Sequence, residues 1–206
     1  MKKITIALFL ILGMATQAQD QYSQKMGEAF GLWKQNKATE SSQLFERIAN
    51  AEPQKWLPMY YAAQINILTS FGIKDEEFLT EKLNKAQLFL DKAKEISPKN
   101  EELLVLQAFW YTVWIAYDGA TYGPMYAGKV SKIYKNAYNI APKNPRVVLA
   151  KAEWDMGSAR YFNKDITPYC KDIEKAIELF DIFEQKTPFY PSWGKQRAEQ
   201  VLNQCK

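Results

Sequence analysis

The side chains that most often carry out chemistry in enzymes are sparse in this sequence. It contains no histidine, so it cannot supply an imidazole base, an imidazole metal ligand, or the Ser-His-Asp and Cys-His nucleophile systems. It also lacks a glycine-rich phosphate loop, a dinucleotide-binding glycine pattern and paired CxxC motifs. We therefore predict that the protein uses neither a cofactor nor a metal.

Carboxylates are the remaining candidates for catalysis, because a glycoside hydrolase needs only an acid and a nucleophile or base. Four of them lie near aromatic-rich stretches: Asp118, Glu153, Asp155 and Asp165. Their spacing singles out no catalytic pair, and carboxylates on helical proteins are usually surface residues or helix caps. A carboxylate-based hydrolase is thus a distant third hypothesis, and we expect no catalytic residue and no enzyme activity.

The N-terminal segment is typical of a cleaved secretory signal. Lys2 and Lys3 precede an apolar run over residues 4–14, and Thr16 and Ala18 supply small residues at the cleavage positions. The run is shorter than the roughly 20 residues needed to cross a bilayer. No cysteine follows it, so the acylation site of a bacterial lipoprotein is missing.

We expect residues 1–18 to be removed and residues 19–206 to form one domain that is soluble in the periplasm or outside the cell. The chain has 27 basic and 23 acidic residues, and removing Lys2 and Lys3 leaves 25 against 23. So small a net charge, dispersed along the chain, argues against binding of nucleic acid or of anionic lipid.

The two cysteines, Cys170 and Cys205, predict a disulfide if the compartment is oxidising. Cys170 is expected to begin a helix (170–186) and Cys205 to end the next one (193–205). If these helices pack antiparallel, both cysteines lie at the same end. Two free, unreactive thiols are the alternative.

Four helix-ending signals recur along the chain. They lie at Pro53, Pro98, Pro142 and Pro188, at spacings of 45, 44 and 46 residues. Proline cannot continue a helix, and an amphipathic helical pattern precedes each of these stops. The regularity predicts a stack of helical hairpins.

The stretch over residues 101–117 is predicted to be the central helix of this stack. Thirteen of its seventeen residues are apolar or aromatic. A helix that is apolar on all sides must be buried on nearly every side. The tryptophans predicted to pack inside the fold are Trp33, Trp56, Trp110 and Trp114.

The third repeat unit resembles the tetratricopeptide repeat family. The matching residues are Leu104, Ala108 and Tyr111 in its first helix and Tyr134, Ala137 and Pro142 in its second. The resemblance extends over residues 22–190. It implies an all-α solenoid of about four helical hairpins, forming a right-handed superhelix, plus a C-terminal capping helix, and it is silent on function because the family is a scaffold for many partners.

Units two to four exceed the family's usual length between their paired helices. The additions are residues 71–77, 118–128 and 157–168, which we predict to be loops on the same edge of the solenoid. The second and third are rich in Tyr and Gly and could form one composite binding surface. Its candidate residues are Asp118, Tyr122, Tyr126, Arg160, Tyr161 and Asp165. Ordinary connecting loops are the alternative.

The final segment is predicted to form the capping helix, with Ser192 as its N-cap. Its apolar residues Trp193, Ala198, Val201 and Leu202 would cover the last repeat.

These features together predict a non-catalytic scaffold that binds a protein or an extended peptide. An extended peptide would use the concave face formed by the first helices, with candidate residues Tyr60, Gln64, Phe109, Thr112, Glu153 and Met156. A small-molecule or glycan binder that uses the insertion segments is the alternative.

Overall fold

The structure, a computed structural model, describes residues 20–205, and in this part of the chain helices are the only regular secondary structure. The helices are α1 (20–34), α2 (Ala38–Ala51), α3 (Trp56–Leu68), α4 (Glu76–Ile96), α5 (Glu101–Tyr117), α6 (Gly119–Ile140), α7 (Pro145–Tyr161), α8 (Thr167–Asp181) and α9 (Lys195–Leu202). A short 3-10 turn, Asn203–Cys205, follows α9. The predicted all-α class is therefore correct. The predicted signal peptide lies outside the described residues.

Consecutive helices pack as four hairpins, with α9 against the last of them. Helix α5 contacts α3 and α7, and Phe30 of α1 packs on Tyr61 of α3, so α1, α3, α5 and α7 form an inner layer, while α4, α6 and α8 pack outside them. No helix within residues 20–205 has the length and hydrophobicity of a membrane span.

Helix α5 is central, as its composition predicts. It packs against α3, α4, α6 and α7. Asn100 caps it by accepting a hydrogen bond from the amide of Glu102 at 2.9 Å. Leu103, Val105 and Leu106 are fully buried, so this helix joins the cores of neighbouring hairpins.

Three of the four proline stops lie where the repeat pattern predicts. Helices α2, α4 and α6 each end two residues before the proline, at Pro53, Pro98 and Pro142. The fourth differs, because α8 ends at Asp181, seven residues before Pro188. The chain between them leaves the repeat pattern.

The second insertion, residues 118–128, is helical and not a loop. Asp118 caps α6 by accepting hydrogen bonds from the amides of Ala120 and Thr121 at 3.0 and 3.1 Å. Glycine and proline disfavour helices, but Tyr122 and Tyr126 pack their rings against α5 here. We infer that this ring burial offsets the low helix propensity.

The loop in the third insertion is also shorter than the predicted residues 157–168. Residues 157–161 complete α7, and the loop itself covers residues 162–166. Helix α8 begins at Thr167 and not at Cys170. The loop of the first insertion ends at Asp75. The side chain of Asp75 caps α4 by accepting a hydrogen bond from the amide of Phe78 at 2.8 Å.

The C-terminal helix starts later than predicted, because Gly194 and not Ser192 occupies its N-cap position. Gly194 has a φ of 117°, and a Cβ there would come within 2.6 Å of the Phe180 ring. Both constraints require glycine. Ala198 and Val201 pack against α7 and α8, as a capping helix should.

A disulfide joins Cys170 to Cys205, with an S–S distance of 2.13 Å. This confirms the predicted pairing. It ties the start of α8 to the 3-10 turn that follows α9, and both cysteines do lie at the same end of the α8–α9 pair.

Candidate functional site

Six aromatic side chains gather where α5 meets α6. They are Trp110, Tyr111, Trp114 and Tyr117 on α5 and Tyr122 and Tyr126 on α6, and we call them the α5–α6 aromatic site. Within each helix, side chains three or four residues apart share a face. The sharp reversal at Asp118 then brings the two aromatic faces together.

The rings of this site pack closely. Tyr122 and Tyr126 are stacked, with centroids 5.8 Å apart and planes 12° from parallel. Tyr122 lies 4.9 Å from Trp114, and Tyr126 lies 4.8 Å from Tyr111. Both tyrosines are half-buried, so part of each ring remains open to solvent.

The indole N–H of Trp114 is an unused hydrogen-bond donor. Trp114 is 7% exposed, and its Nε1 is buried without a partner among the described residues. By contrast, Nε1 of Trp110 donates to the carbonyl of Leu83 at 2.8 Å. A buried donor without a partner is costly, and such donors commonly bind an ordered water or serve a functional role.

Charged residues border the site on two sides. The Nζ atom of Lys129 lies 5.0 Å from the centroid of the Tyr126 ring. The hydroxyl of Tyr122 donates to the Glu76 carboxylate at 3.3 Å. Burial and this nearby carboxylate raise the pKa of the Tyr122 phenol, so it stays neutral and remains a donor at neutral pH.

The predicted edge residues therefore divide into two groups. Asp118, Tyr122 and Tyr126 come together in the α5–α6 aromatic site. Arg160 and Tyr161 lie at the end of α7, where Tyr161 is 80% exposed, and Asp165 accepts a hydrogen bond from the amide of Thr167. No hydrogen bond or ring pair joins the two groups within residues 20–205.

The concave face is not open as predicted. Tyr60, Gln64 and Met156 are at most 1% exposed, and the remaining three candidates, Phe109, Thr112 and Glu153, are half-buried. Met156 is buried in the core between α7, α8 and α9, and Tyr60 is covered by residues 187–194, an irregular segment that lies along the inner helices and that we call the C-terminal strap.

The C-terminal strap contacts three inner helices in succession. Phe189 stacks on Phe30 of α1 at 5.9 Å, and its carbonyl accepts a hydrogen bond from the Tyr61 hydroxyl of α3 at 2.7 Å. Trp193 donates to the Tyr60 hydroxyl at 2.7 Å and packs 5.9 Å from Phe109 of α5. Trp193 thus lies on the concave side and not against the last repeat.

Helix α9 continues this cover onto α7. Arg197 forms an ion pair with Glu153 at 2.6 Å, so the fourth inner helix is also engaged. The chain's own C-terminus thus occupies the surface on which an extended peptide was expected to bind. The strap has no helical periodicity, and the only sequence signal for it is the cluster of aromatics and proline after Pro188.

A buried ion pair fixes the strap from beneath. Nε of Arg146 donates to the two Glu102 oxygens at 2.8 and 3.0 Å, and both side chains are fully buried. The guanidinium also lies 4.4 Å from the Phe183 ring centroid and 5.6 Å from that of Tyr190. Burial alone would lower the pKa of Arg146, but the Glu102 carboxylate raises it, so the guanidinium stays charged.

A cavity of about 470 Å³ lies between α1 and α2. Its walls combine apolar residues such as Tyr22, Leu44 and Ile48 with charged residues of both signs. Lys25, on this wall, is paired with Glu28 at 2.8 Å. The α1–α2 cavity offers fewer ring faces than the α5–α6 aromatic site.

No cluster of three or more potential metal ligands occurs within residues 20–205. The carboxylates named as catalytic candidates all have structural partners. Asp118 and Asp165 cap helices, Glu153 pairs with Arg197, and Asp155 pairs with Lys151 at 2.5 Å.

Comparison with protein-family models gives no match, so the resemblance to tetratricopeptide repeats stays a prediction. Comparison with curated protein sequences gives no match either. Among solved structures, the chain is similar to the HusA haemophore from Porphyromonas gingivalis, with a TM-score of 0.76 and 22% sequence identity. The alignment covers 91% of this chain and 92% of that chain. At this identity the likeness shows a shared all-helical fold.

Proposed function

We propose that this protein is an exported, non-catalytic binding protein for a flat, largely apolar ring system of the haem or porphyrin class. The α5–α6 aromatic site carries this proposal, because half-open stacked rings favour a planar ligand. The fold shared with a haemophore supports the same ligand class. The disulfide supports residence in an oxidising compartment.

The residues of the site have complementary roles in this proposal. Tyr122 and Tyr126 offer ring faces for stacking. Lys129 lies at the rim, where it can pair with a carboxylate of the ligand. Because the chain has no histidine, the binding energy rests on ring contacts and not on imidazole coordination.

The same geometry disfavours the other hypotheses. The C-terminal strap and α9 cover the concave face, which argues against an extended peptide in that groove. The carboxylates that a hydrolase would need serve as caps or in ion pairs. A glycan would also stack on tyrosines, but it needs more polar partners than this site offers.

Haemin titration of the mature chain tests the proposal, followed by haem absorption and by tryptophan fluorescence. We expect saturable binding, with Trp110 and Trp114 quenched. Replacing Tyr122 and Tyr126 by alanine should weaken haemin binding by about tenfold or more, since each stacked pair contributes about 0.5–1.5 kcal/mol beyond area burial.

The matched control is the pair Tyr161→Ala and Phe162→Ala. It also removes two aromatic rings, but at the end of α7, away from the α5–α6 aromatic site. We expect it to bind haemin like the unsubstituted protein. Equal loss in both variants would indicate non-specific adsorption, and no saturable binding at all would refute the proposed ligand class.

A further inference from the structure

The exposed apolar side chains of this protein are concentrated where its hairpins close. Nine large apolar side chains are exposed within residues 20–205, and six of them lie in or beside the three insertion segments. These six are Leu68, Phe71, Phe78, Met125, Tyr161 and Phe162, and we call them the hairpin edge. A cluster of this kind on a soluble protein usually marks an interaction surface.

Two contacts place these residues along one side of the molecule. The hydrogen bond from Tyr122 to Glu76 joins the start of α6 to the start of α4. Nε1 of Trp154 donates to Ser131 at 2.9 Å and so sets the register of α7 against α6. These two helices are antiparallel. Tyr161 lies seven residues after Trp154 on α7, and Pro124, next to Met125, lies seven residues before Ser131 on α6. Met125 and Tyr161 therefore lie at the same level.

The two ends of the hairpin edge carry net charge of opposite sign, because residues 74–82 hold four carboxylates and two lysines while residues 160–165 hold Arg160, Lys164 and Asp165. At the first end, the start of α4 presents Glu77 and Glu81 to solvent. At the other end, Arg160 and Lys164 flank the exposed pair Tyr161 and Phe162, with Lys164 lying 5.7 Å from the Phe162 ring. Within the described residues, no hydrogen bond or ion pair engages the side chains of these four charged residues.

We propose that the hairpin edge is a homodimer interface, in which two copies pair antiparallel about a two-fold axis. In such a pairing, each residue contact occurs twice. The basic end of one copy then faces the acidic end of the other, and the apolar residues between them are covered. This inference does not depend on the proposed ligand.

The charge pattern favours a second copy over an anionic membrane as the occupant. A lipid surface of one sign would attract Arg160 and Lys164 but repel Glu77 and Glu81. An antiparallel copy satisfies both ends at once.

Sedimentation velocity on the mature, ligand-free chain over a concentration series tests the dimer. An acidic variant carries Arg160→Glu and Lys164→Glu, and a basic variant carries Glu77→Lys and Glu81→Lys. Each variant alone places like charges together at both ends of the pairing. We expect its dimer dissociation constant to rise by about tenfold or more.

Mixing the two variants is the decisive step. The acidic variant should pair with the basic one, because every contact between the ends then joins opposite charges. We expect the mixture to regain the dimer that each variant loses. Circular dichroism should show unchanged helicity, since the substituted side chains form no hydrogen bond or ion pair within the described residues.

Three outcomes of these experiments would overturn the proposed dimer. A protein that stays monomeric at every concentration would overturn the proposal, as would a mixture that stays monomeric while the unsubstituted chain dimerises. A dimer that survives in both variants would also overturn it, because the interface would then lie elsewhere. Haemin binding by the same variants reports on the proposed function separately, since their aromatic sites are intact.

Discussion

Replacing Arg146 by alanine should lower the free energy of unfolding by about 3–5 kcal/mol. The substitution removes the guanidinium that faces the fully buried Glu102 carboxylate and leaves only the Asn144 amide as its side-chain donor, so the lost counter-charge is the source of the cost. Urea unfolding followed by circular dichroism measures the change. The expected loss is a large share of the roughly 5–15 kcal/mol that stabilises a typical domain.

Two further variants distinguish the ion pair from mere loss of volume. Arg146→Met with Glu102→Leu removes both charges and keeps the site filled, so it should recover most of the lost stability. Arg197→Ala breaks the more exposed pair with Glu153 and should cost about 1 kcal/mol or less. A double variant no more stable than Arg146→Ala would argue that packing of the arginine, and not its charge, is what matters.

The position of this pair explains why its loss should also affect the C-terminal strap. Glu102 belongs to α5 and Arg146 to α7, and the guanidinium lies against Phe183 and Tyr190. The Tyr190 hydroxyl in turn lies 3.3 Å from a Glu101 oxygen. One buried pair therefore links two inner helices to the segment that covers them.

The sequence predicts the helices of this fold better than it predicts their surfaces. Proline stops and apolar periodicity are local properties, so the bounds of α5 and the ends of α2, α4 and α6 follow from them directly. The start of α6 does not, because Gly119, Gly123 and Pro124 have low helix propensity. The Asp118 cap and the packing of Tyr122 and Tyr126 on α5 together explain its helicity.

The candidate sites show the same limit. Tyr122 and Tyr126 could be singled out because their glycine and polar neighbours suggested partial exposure. The prediction that Tyr60 is open was wrong, because its hydroxyl is bonded to Trp193, which lies more than 120 residues away in the chain. Glu76 and Lys129 carry no local signal at all and are identified only by their distance from the rings.

Removing the disulfide should lower the free energy of unfolding by about 4 kcal/mol, according to the loop-entropy relation. Cys170 and Cys205 are 35 residues apart, and opening this loop lets the unfolded chain explore more conformations. The double variant Cys170→Ser and Cys205→Ser, unfolded in urea beside the oxidised and the reduced protein, measures the effect. The intact mass of the oxidised chain should be two hydrogens below that of the reduced chain.

The reduced protein serves as the matched control, because it should lose as much stability as the double-serine variant. Two free thiols in protein from an oxidising compartment would contradict the bond. Hydrogen exchange then identifies the segments that the disulfide stabilises, because their amides should exchange faster once the bond is removed. Helix α9 is only eight residues long and buries just Ala198 and Val201, so it depends on tertiary ties. If exchange accelerates first in α9 and the C-terminal strap, the disulfide is what keeps the concave face covered.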